Sequence, residues 1–161
     1  AGVRLREKFL ETSASKLDYV FKNNFFSIFF LIQFFLKDSI KKKNITSIVN
    51  VSSIVGKNGF KDLSGYASTK SALVGLGKSL AAEFGEIGIR INTVNPGFIK
   101  TSYYSQFKKK KKLYNWTLGR TPMKRWGESD EIANFVIFLL SDKSSYINGE
   151  DVNIDGGWLS S

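Results

Sequence analysis

Two residues of this sequence, Tyr66 and Lys70, are spaced so that they could do acid/base chemistry together. A separation of four residues on a helix places both side chains on one face, one turn apart. A free tyrosine has a pKa of about 10 and exchanges protons poorly at neutral pH. A nearby ammonium favours the tyrosinate and lowers that pKa, so the pair predicts a general acid/base. The same spacing occurs by chance on many surface helices, and the pair alone does not establish a site.

A serine hydroxyl is predicted to lie beside this pair. Ser53 ends a β-branched run, residues 46–53, that is typical of a buried parallel strand. The triplet Asn-Pro-Gly at 95–97 ends the next predicted strand. Ligands of parallel sheets bind beyond the carboxyl ends of the strands. We therefore expect Ser53, Tyr66 and Lys70 on one rim of the sheet, where the serine can hydrogen-bond a substrate carbonyl oxygen.

The composition excludes several other kinds of chemistry. The 161 residues contain neither cysteine nor histidine, which removes thiolate nucleophiles, a Ser-His-Asp triad and the usual zinc ligands. We predict no metal site. The formal net charge is +10, with lysine runs at 41–43 and 108–112. Such runs can attract nucleic acid, anionic lipid or acidic partners. No nucleic-acid motif accompanies them here, which favours solvated lysines at helix ends.

The elements that must position these residues alternate between helix and strand. Apolar residues at helical spacing predict helices over 16–36, 66–84 and 128–142, the first capped by Ser15. Apolar runs predict strands over 46–53, 89–94 and 152–154, and residues 101–120 read as a mobile helix and loop. This alternation predicts an α/β fold, a Rossmann-like doubly wound parallel sheet, as a single unit over residues 1–161.

The first predicted helix is unusually apolar. Ten of the twelve residues over 25–36 are apolar. Lys22 and Lys37 bracket only 14 residues, whereas a transmembrane helix needs about 20. We predict a helix buried against the sheet and against another subunit. A membrane-associated basic protein is the alternative.

Four stretches, in order, resemble the short-chain dehydrogenase/reductase family. They are Asn-Val-Ser-Ser (50–53), Tyr-Ala-Ser-Thr-Lys (66–70), Asn-Pro-Gly-Phe-Ile-Lys-Thr (95–101) and a closing Asp-Gly-Gly (155–157). The finer pattern, including Arg-Trp-Gly-Glu at 125–128, is similar to the 3-oxoacyl-carrier-protein reductases.

The resemblance implies a role for each candidate residue. Tyr66 would be the catalytic acid/base, Lys70 would lower its pKa and hold the nicotinamide ribose, and Ser53 would orient the substrate carbonyl. Asn24 would support a proton relay through water, with a helix asparagine that bonds locally as the alternative. The residues implied in binding NAD or NADP are Ala1, Gly2, Tyr66, Lys70, Pro96, Gly97, Ile99 and Thr101.

The resemblance also implies a function, that of an NAD(P)-dependent oxidoreductase. Such an enzyme would interconvert a carbonyl and a secondary alcohol on a small-molecule or carrier-bound substrate. Such a protein is expected to be cytoplasmic, a homodimer or homotetramer, and free of nucleic acid and of membrane insertion. The family's glycine-rich phosphate loop is not found in these 161 residues. We therefore expect the catalytic part of a longer chain, with a sheet incomplete at its N-terminal half and little activity of its own. A non-catalytic relative that acts as a subunit or interaction module is the alternative.

Overall fold

Three parallel strands form the sheet against which the helices pack. The computed structural model describes residues 2–44 and 46–161. Its strands are β1 (Ser47–Val51), β2 (Arg90–Pro96), β3 (Ile99–Lys100), β4 (Gly127–Glu128) and β5 (Asp151–Ile154). The main sheet has the order β1-β2-β5, and β3 and β4 pair separately. All the pairings are parallel, which confirms the predicted α/β fold with a Rossmann-like parallel sheet.

The helices agree with the sequence pattern but differ at their ends. They are α1 (Ala14–Phe21), α2 (Ser27–Lys41), α3 (Ser64–Phe84), α4 (Tyr104–Lys109), α5 (Lys111–Arg120) and α6 (Ser129–Leu140). A π-helical turn, Lys22–Phe26, joins α1 to α2 without a break. The cap of α1 is Ser13 rather than Ser15, because the Ser13 hydroxyl accepts the backbone N–H of Lys16 at 3.4 Å. The predicted helix and loop over 101–120 contains two helices, α4 and α5.

The main core lies between the sheet and the helices α2 and α3. Its buried members are Ile32, Leu36, Ala81, Ile89 and Ile91. Helix α3 approaches the sheet closely at Gly77, where an added Cβ would lie 2.6 Å from the Thr93 hydroxyl oxygen. A side chain at that position would push α3, which carries Tyr66 and Lys70, away from β2.

One face of the first helix is apolar and exposed. Ala14–Lys41 is continuous over 28 residues, and by length and composition it is able to cross a membrane. That property is also common in core helices of soluble proteins, and here the opposite face of the helix packs into the core through Val20, Ile32 and Leu36. The outward face carries Phe26, Phe30, Leu31, Phe34, Phe35 and Ile40.

The short helices α4 and α5 are held in place by aromatic side chains. Trp126 is buried, and its indole N–H donates to the Thr117 hydroxyl at 2.7 Å. The Phe107 ring lies 4.9 Å from the Trp126 ring, and the Tyr104 and Tyr114 hydroxyls are 3.1 Å apart. The lysines at 108–112 are exposed on the outside of these helices. This part of the chain therefore packs through its aromatic residues and leaves its charges in solvent.

Candidate active site

A cavity of about 300 Å³ opens at the carboxyl ends of β1 and β2. We call it the active cavity. The segment after β1 contributes Ser52 and Ser53, and α3 contributes Tyr66. Pro96 and Gly97, at the end of β2, line the same space. Ser53 and Tyr66, two of the three residues predicted to meet on one rim of the sheet, thus line one cavity, whereas the third, Lys70, is not among its lining residues.

The phenol of Tyr66 is a titratable group in the lining of the active cavity. Burial raises the pKa of Tyr66, and this is the largest influence on it. The positive charge of Arg4 and a hydrogen bond with the Ser53 hydroxyl both act in the opposite direction and lower that pKa. Arg4 and Ser53 therefore favour the tyrosinate within a site that otherwise disfavours it.

Lys70 lies one helical turn from Tyr66 and is buried. Its ammonium is 5.8 Å from the centre of the Tyr66 ring and donates a hydrogen bond to the Val51 carbonyl at 3.1 Å. Burial lowers the pKa of Lys70. Within residues 2–44 and 46–161, that carbonyl is the only hydrogen-bond acceptor of the ammonium. Since an ammonium has three donors, two of them remain to hold a ligand.

The loop after β1 is pressed against α3, and this contact positions Ser53. The Ser52 hydroxyl donates to the Lys70 carbonyl at 2.8 Å, and the Ser71 hydroxyl donates to the Gly56 carbonyl at 2.6 Å. A Cβ added at Gly56 would lie 2.9 Å from the Lys70 carbonyl carbon. Glycine at 56 therefore allows the close approach that brings the Ser53 hydroxyl to Tyr66.

Asn24 connects the first residues of the chain to the site. It lies fully buried in the π-helical turn. Its side-chain oxygen accepts the Val3 N–H at 2.7 Å, and its amide donates to the Val3 carbonyl at 2.8 Å and to the Thr69 hydroxyl at 3.3 Å. These contacts fix the segment that carries Gly2 and Arg4. The relay role of Asn24 stays a prediction, because its side chain is engaged in holding the backbone.

The predicted cofactor residues divide into two groups. Pro96, Gly97, Ile99, Thr101 and Tyr66 line the active cavity. Gly2 lies behind it, where an added Cβ would be 3.3 Å from the Asn24 side-chain oxygen and 3.9 Å from the Lys70 ammonium. Ala1 lies outside the described residues.

The closing Asp-Gly-Gly stretch is a turn that supports the β2 end of the cavity. Asp155 accepts the backbone N–H groups of Gly157 and Leu159 at 2.9 and 3.0 Å. Gly156 and Gly157 have positive φ angles of 66° and 87°, a region that favours glycine. A Cβ at Gly97 would lie 2.7 Å from the Asp155 Cα. The turn therefore packs directly against the segment that lines the active cavity.

Sequence reasoning missed Arg4 and the aromatic wall of the active cavity. Arg4 belongs to an irregular segment, and no spacing pattern marked it. The aromatic wall consists of Phe60, Phe98, Tyr103, Phe107 and Trp126. These side chains come from separate loops and helices, so only the folded chain brings them together.

The arrangement can hold a carbonyl compound and exchange a proton with it. The Ser53 and Tyr66 hydroxyls face one cavity and are both hydrogen-bond donors. The buried Lys70 ammonium has donors to spare, and the lack of a Cβ at Gly2 leaves the space beside it open to a polar ligand. A tyrosine with charged and hydroxyl neighbours is suited to general acid/base catalysis.

Comparison with known proteins gives one consistent result. A family model described as Enoyl-(Acyl carrier protein) reductase matches residues 1–159. The chain is 36% identical over 157 residues to a 3-oxoacyl-[acyl-carrier-protein] reductase of Buchnera aphidicola, covering 98% of this chain and 63% of that protein. It is 34% identical to a 2-dehydro-3-deoxy-D-gluconate 5-dehydrogenase of Bacillus subtilis, covering 99% of this chain and 63% of that protein.

A solved structure also resembles this chain over its whole length. A 4-hydroxyisoleucine dehydrogenase complexed with NADH superposes with a TM-score of 0.96 at 30% identity. The match covers 100% of this chain and 66% of that one. The chain thus spans about 63% of the length of the curated relatives named above.

Proposed function

The chain belongs to the short-chain dehydrogenase/reductase family, and from that premise we propose that it carries the catalytic site of an NAD(P)-dependent oxidoreductase. The reaction is the interconversion of a carbonyl and a secondary alcohol. The observation that carries the proposal is the placement of the Tyr66 phenol and the Ser53 hydroxyl in one cavity, with the Lys70 ammonium buried beside them.

The chain's own residues supply position and the proton. Ser53 donates a hydrogen bond to the carbonyl oxygen and polarises the carbonyl. Tyr66 gives its hydroxyl proton to that oxygen as the carbon is reduced, and becomes a tyrosinate. The Arg4 charge stabilises that tyrosinate, since it lowers the pKa of Tyr66. The Ser53 hydroxyl, which also lowers that pKa before substrate binds, has one hydrogen and donates it in a hydrogen bond to the carbonyl oxygen during the reaction. A bound nicotinamide supplies the hydride.

The residues proposed to hold the NAD or NADP lie around the Lys70 ammonium. Lys70 donates to the ribose hydroxyls through the hydrogens that the Val51 carbonyl does not use. Gly2, without a Cβ, leaves the space next to that ammonium open. Gly97 and Thr101 are proposed to bind the nicotinamide side from the opposite wall.

Two substrate classes are compatible with this chemistry. The resemblance to 3-oxoacyl reductases predicts a 3-oxoacyl thioester, bound to a carrier. Relatives that act on sugar acids, such as the one of Bacillus subtilis, give a small hydroxy or oxo acid as the second class. The small volume of the active cavity and the nearby Arg4 favour the second class.

We infer that the exposed apolar face of Ala14–Lys41 binds another copy of the chain rather than a membrane. The helix is fixed to the rest of the molecule by the buried, hydrogen-bonded Asn24. Lys22 and Lys37, with other charged residues, interrupt its length, and an apolar patch of this kind on a folded unit marks an interface. A homodimer or homotetramer and a cytoplasmic location stay predictions.

Isotope transfer tests the proposed reaction. The full-length protein is incubated with ethyl acetoacetate and with NADH or NADPH that carries deuterium at the reactive C4 position. We expect the alcohol product to carry deuterium on its carbinol carbon with one of the two cofactors. No deuterated alcohol with ethyl acetoacetate, acetoacetate or an acetoacetyl thioester would contradict the proposal and favour the non-catalytic alternative.

A further inference from the structure

A second cavity, rich in positive charge, adjoins the active cavity. It has a volume of about 230 Å³, and we call it the basic cavity. Its cationic lining residues are Arg4, Arg6, Lys61 and Arg120. No aspartate or glutamate of the described part of the chain lines either cavity. Four cations facing one space without a counterion create a positive potential that attracts an anion.

Arg4 joins the two cavities. It lines both of them, together with the shared rings of Phe60, Phe98 and Phe107. Its charge is close enough to Tyr66 to influence the ionisation of the phenol. Over residues 2–44 and 46–161, the side chain of Arg4 makes neither a salt bridge nor a hydrogen bond. Its guanidinium is therefore available to a ligand that also reaches Tyr66.

The other cations, Arg6, Lys61 and Arg120, line the basic cavity but not the active cavity. Arg120 lies over the Trp158 ring at 4.9 Å, and its guanidinium also donates to the Ser161 backbone oxygen at 3.3 Å. Stacking on an indole holds a guanidinium in place at low entropic cost. Arg4, Arg6 and Lys61 are exposed. Arg4 is the cation placed next to the reacting group, because it also lines the active cavity and its charge acts on Tyr66, and the others extend the positive potential of the basic cavity.

We propose that the substrate carries a carboxylate or phosphate group that Arg4 binds while its carbonyl contacts Ser53 and Tyr66. This inference rests on the proposed oxidoreductase function and names the substrate class. A guanidinium pairs with a carboxylate or a phosphate through two parallel hydrogen bonds. A neutral 3-oxoacyl thioester has no such group next to its reacting carbonyl. The charged pair also orients the carbonyl towards Tyr66.

Paired charged and neutral probes test the proposal in the full-length protein. The carboxylate pair is acetoacetate and methyl acetoacetate, and the phosphate pair is dihydroxyacetone phosphate and dihydroxyacetone. Binding is measured by calorimetry with NAD⁺ or NADP⁺ present. The oxidised cofactor cannot reduce the carbonyl probe, so the measurement does not depend on turnover. We expect the charged member of at least one pair to bind about 10- to 100-fold more tightly than its neutral counterpart, the effect of a charge-assisted hydrogen bond. Whichever pair shows the preference identifies the anionic group.

The variant Arg4→Gln removes the charge and keeps most of the side chain's size. We expect it to abolish the preference without changing the affinity for the neutral probes, and Arg4→Lys to restore part of it. Lys111→Gln, on the exposed lysine run outside both cavities, serves as the matched control and should keep the preference. Because the Arg4 side chain makes no hydrogen bond in the described residues, the substitution should leave folding intact.

The outcomes separate this inference from the proposed function. Equal affinity of the wild-type protein for charged and neutral probes would overturn the inference, as would an unchanged preference in Arg4→Gln. An Arg4→Gln variant that binds NAD(P) more weakly but keeps the preference for the charged probe would also overturn the inference. An Arg4-dependent preference in a protein that transfers no deuterium would uphold Arg4 as the binding residue for the anionic group and contradict the proposed reaction.

Discussion

Among single residues, Tyr66 is the one whose ionisation the proposed reaction depends on. Burial raises the pKa of Tyr66, whereas Arg4 and Ser53 lower it. The sequence predicted that Lys70 would supply the charge. In the structure the Lys70 ammonium donates to the Val51 carbonyl and lies over the Tyr66 ring, 5.8 Å from the ring centre. Its effect on the Tyr66 pKa stays a prediction.

Lys70→Met tests that effect. In the direction of alcohol oxidation the reaction needs the tyrosinate, so the rate rises as pH passes the pKa of Tyr66. Removal of a cation that stabilises the tyrosinate raises that pKa and moves the rise to higher pH. We also expect a higher KM for the cofactor, because the ribose loses its donor. The pH–rate profile and cofactor KM are measured on the full-length protein, and a profile equal to that of the wild type would show that the two residues are not coupled.

Ser53→Ala should also move the rise of the pH–rate profile for alcohol oxidation to higher pH. The Ser53 hydroxyl lowers the pKa of Tyr66 by hydrogen bonding, whereas burial raises it. Removal of the hydroxyl therefore raises that pKa. We expect turnover to fall by about 100-fold, since the carbonyl also loses its hydrogen-bond donor. The adjacent Ser52 offers the contrast. Its hydroxyl bonds the Lys70 carbonyl, so Ser52→Ala should lower stability more than it changes the shape of the profile.

At the scale of elements, the helices and strands could be predicted where their patterns are long. The β-branched run of β1 and the repeated leucines of α3 carry a clear period, and both elements are found. The pair β3–β4 is too short to show a period. The π-helical turn Lys22–Phe26 joins α1 to α2 without a break, and its five residues are too few to show a different period, so the sequence could not distinguish it. The sequence motifs predicted the Ser53 and Tyr66 hydroxyls and the Lys70 ammonium. They could not predict the aromatic wall of the active cavity, because contacts between distant parts of the chain bring its side chains together.

Helix α6 offers a test of stability at this scale. Glu131 accepts two hydrogen bonds from the Arg125 guanidinium, at 2.6 and 2.7 Å, and a third from the Glu128 backbone N–H at 2.8 Å. These contacts, that of Arg125 foremost, lower the pKa of Glu131 to about 2. A carboxylate whose pKa is lowered by folding stabilises the protein above its ordinary pKa and loses that effect as pH falls towards the lowered value.

Glu131→Gln should therefore reduce the melting temperature by a few degrees at pH 7. The difference from the wild type should shrink as the pH falls from about 4.5 towards 2. Thermal unfolding followed by circular dichroism across this range measures it. Glu150→Gln, at an exposed position, is the control. A difference that stays constant with pH would contradict the proposed role of the Glu131 charge.

At the scale of the whole molecule, the exposed face of Ala14–Lys41 predicts self-association. We expect the full-length protein to sediment as a dimer or larger species, because Phe30 and Phe34 are 60% and 74% exposed in a single copy. Phe34→Glu should shift the population towards monomer. Leu10→Glu, which changes an exposed apolar residue outside this face, should not. A wild-type monomer that binds lipid vesicles would instead favour a membrane contact.

The proposed reaction requires the Tyr66 phenol to transfer the proton in a carbonyl reductase or alcohol dehydrogenase. The turnover number of Tyr66→Phe in the full-length protein tests this requirement, with Tyr146→Phe, an exposed tyrosine, as the control. Loss of one hydroxyl should reduce turnover by at least about 100-fold while cofactor affinity and the melting temperature stay near those of the wild type. Tyr146→Phe should be fully active. Turnover of Tyr66→Phe within a few fold of the wild type would contradict the assignment of this residue as the acid/base.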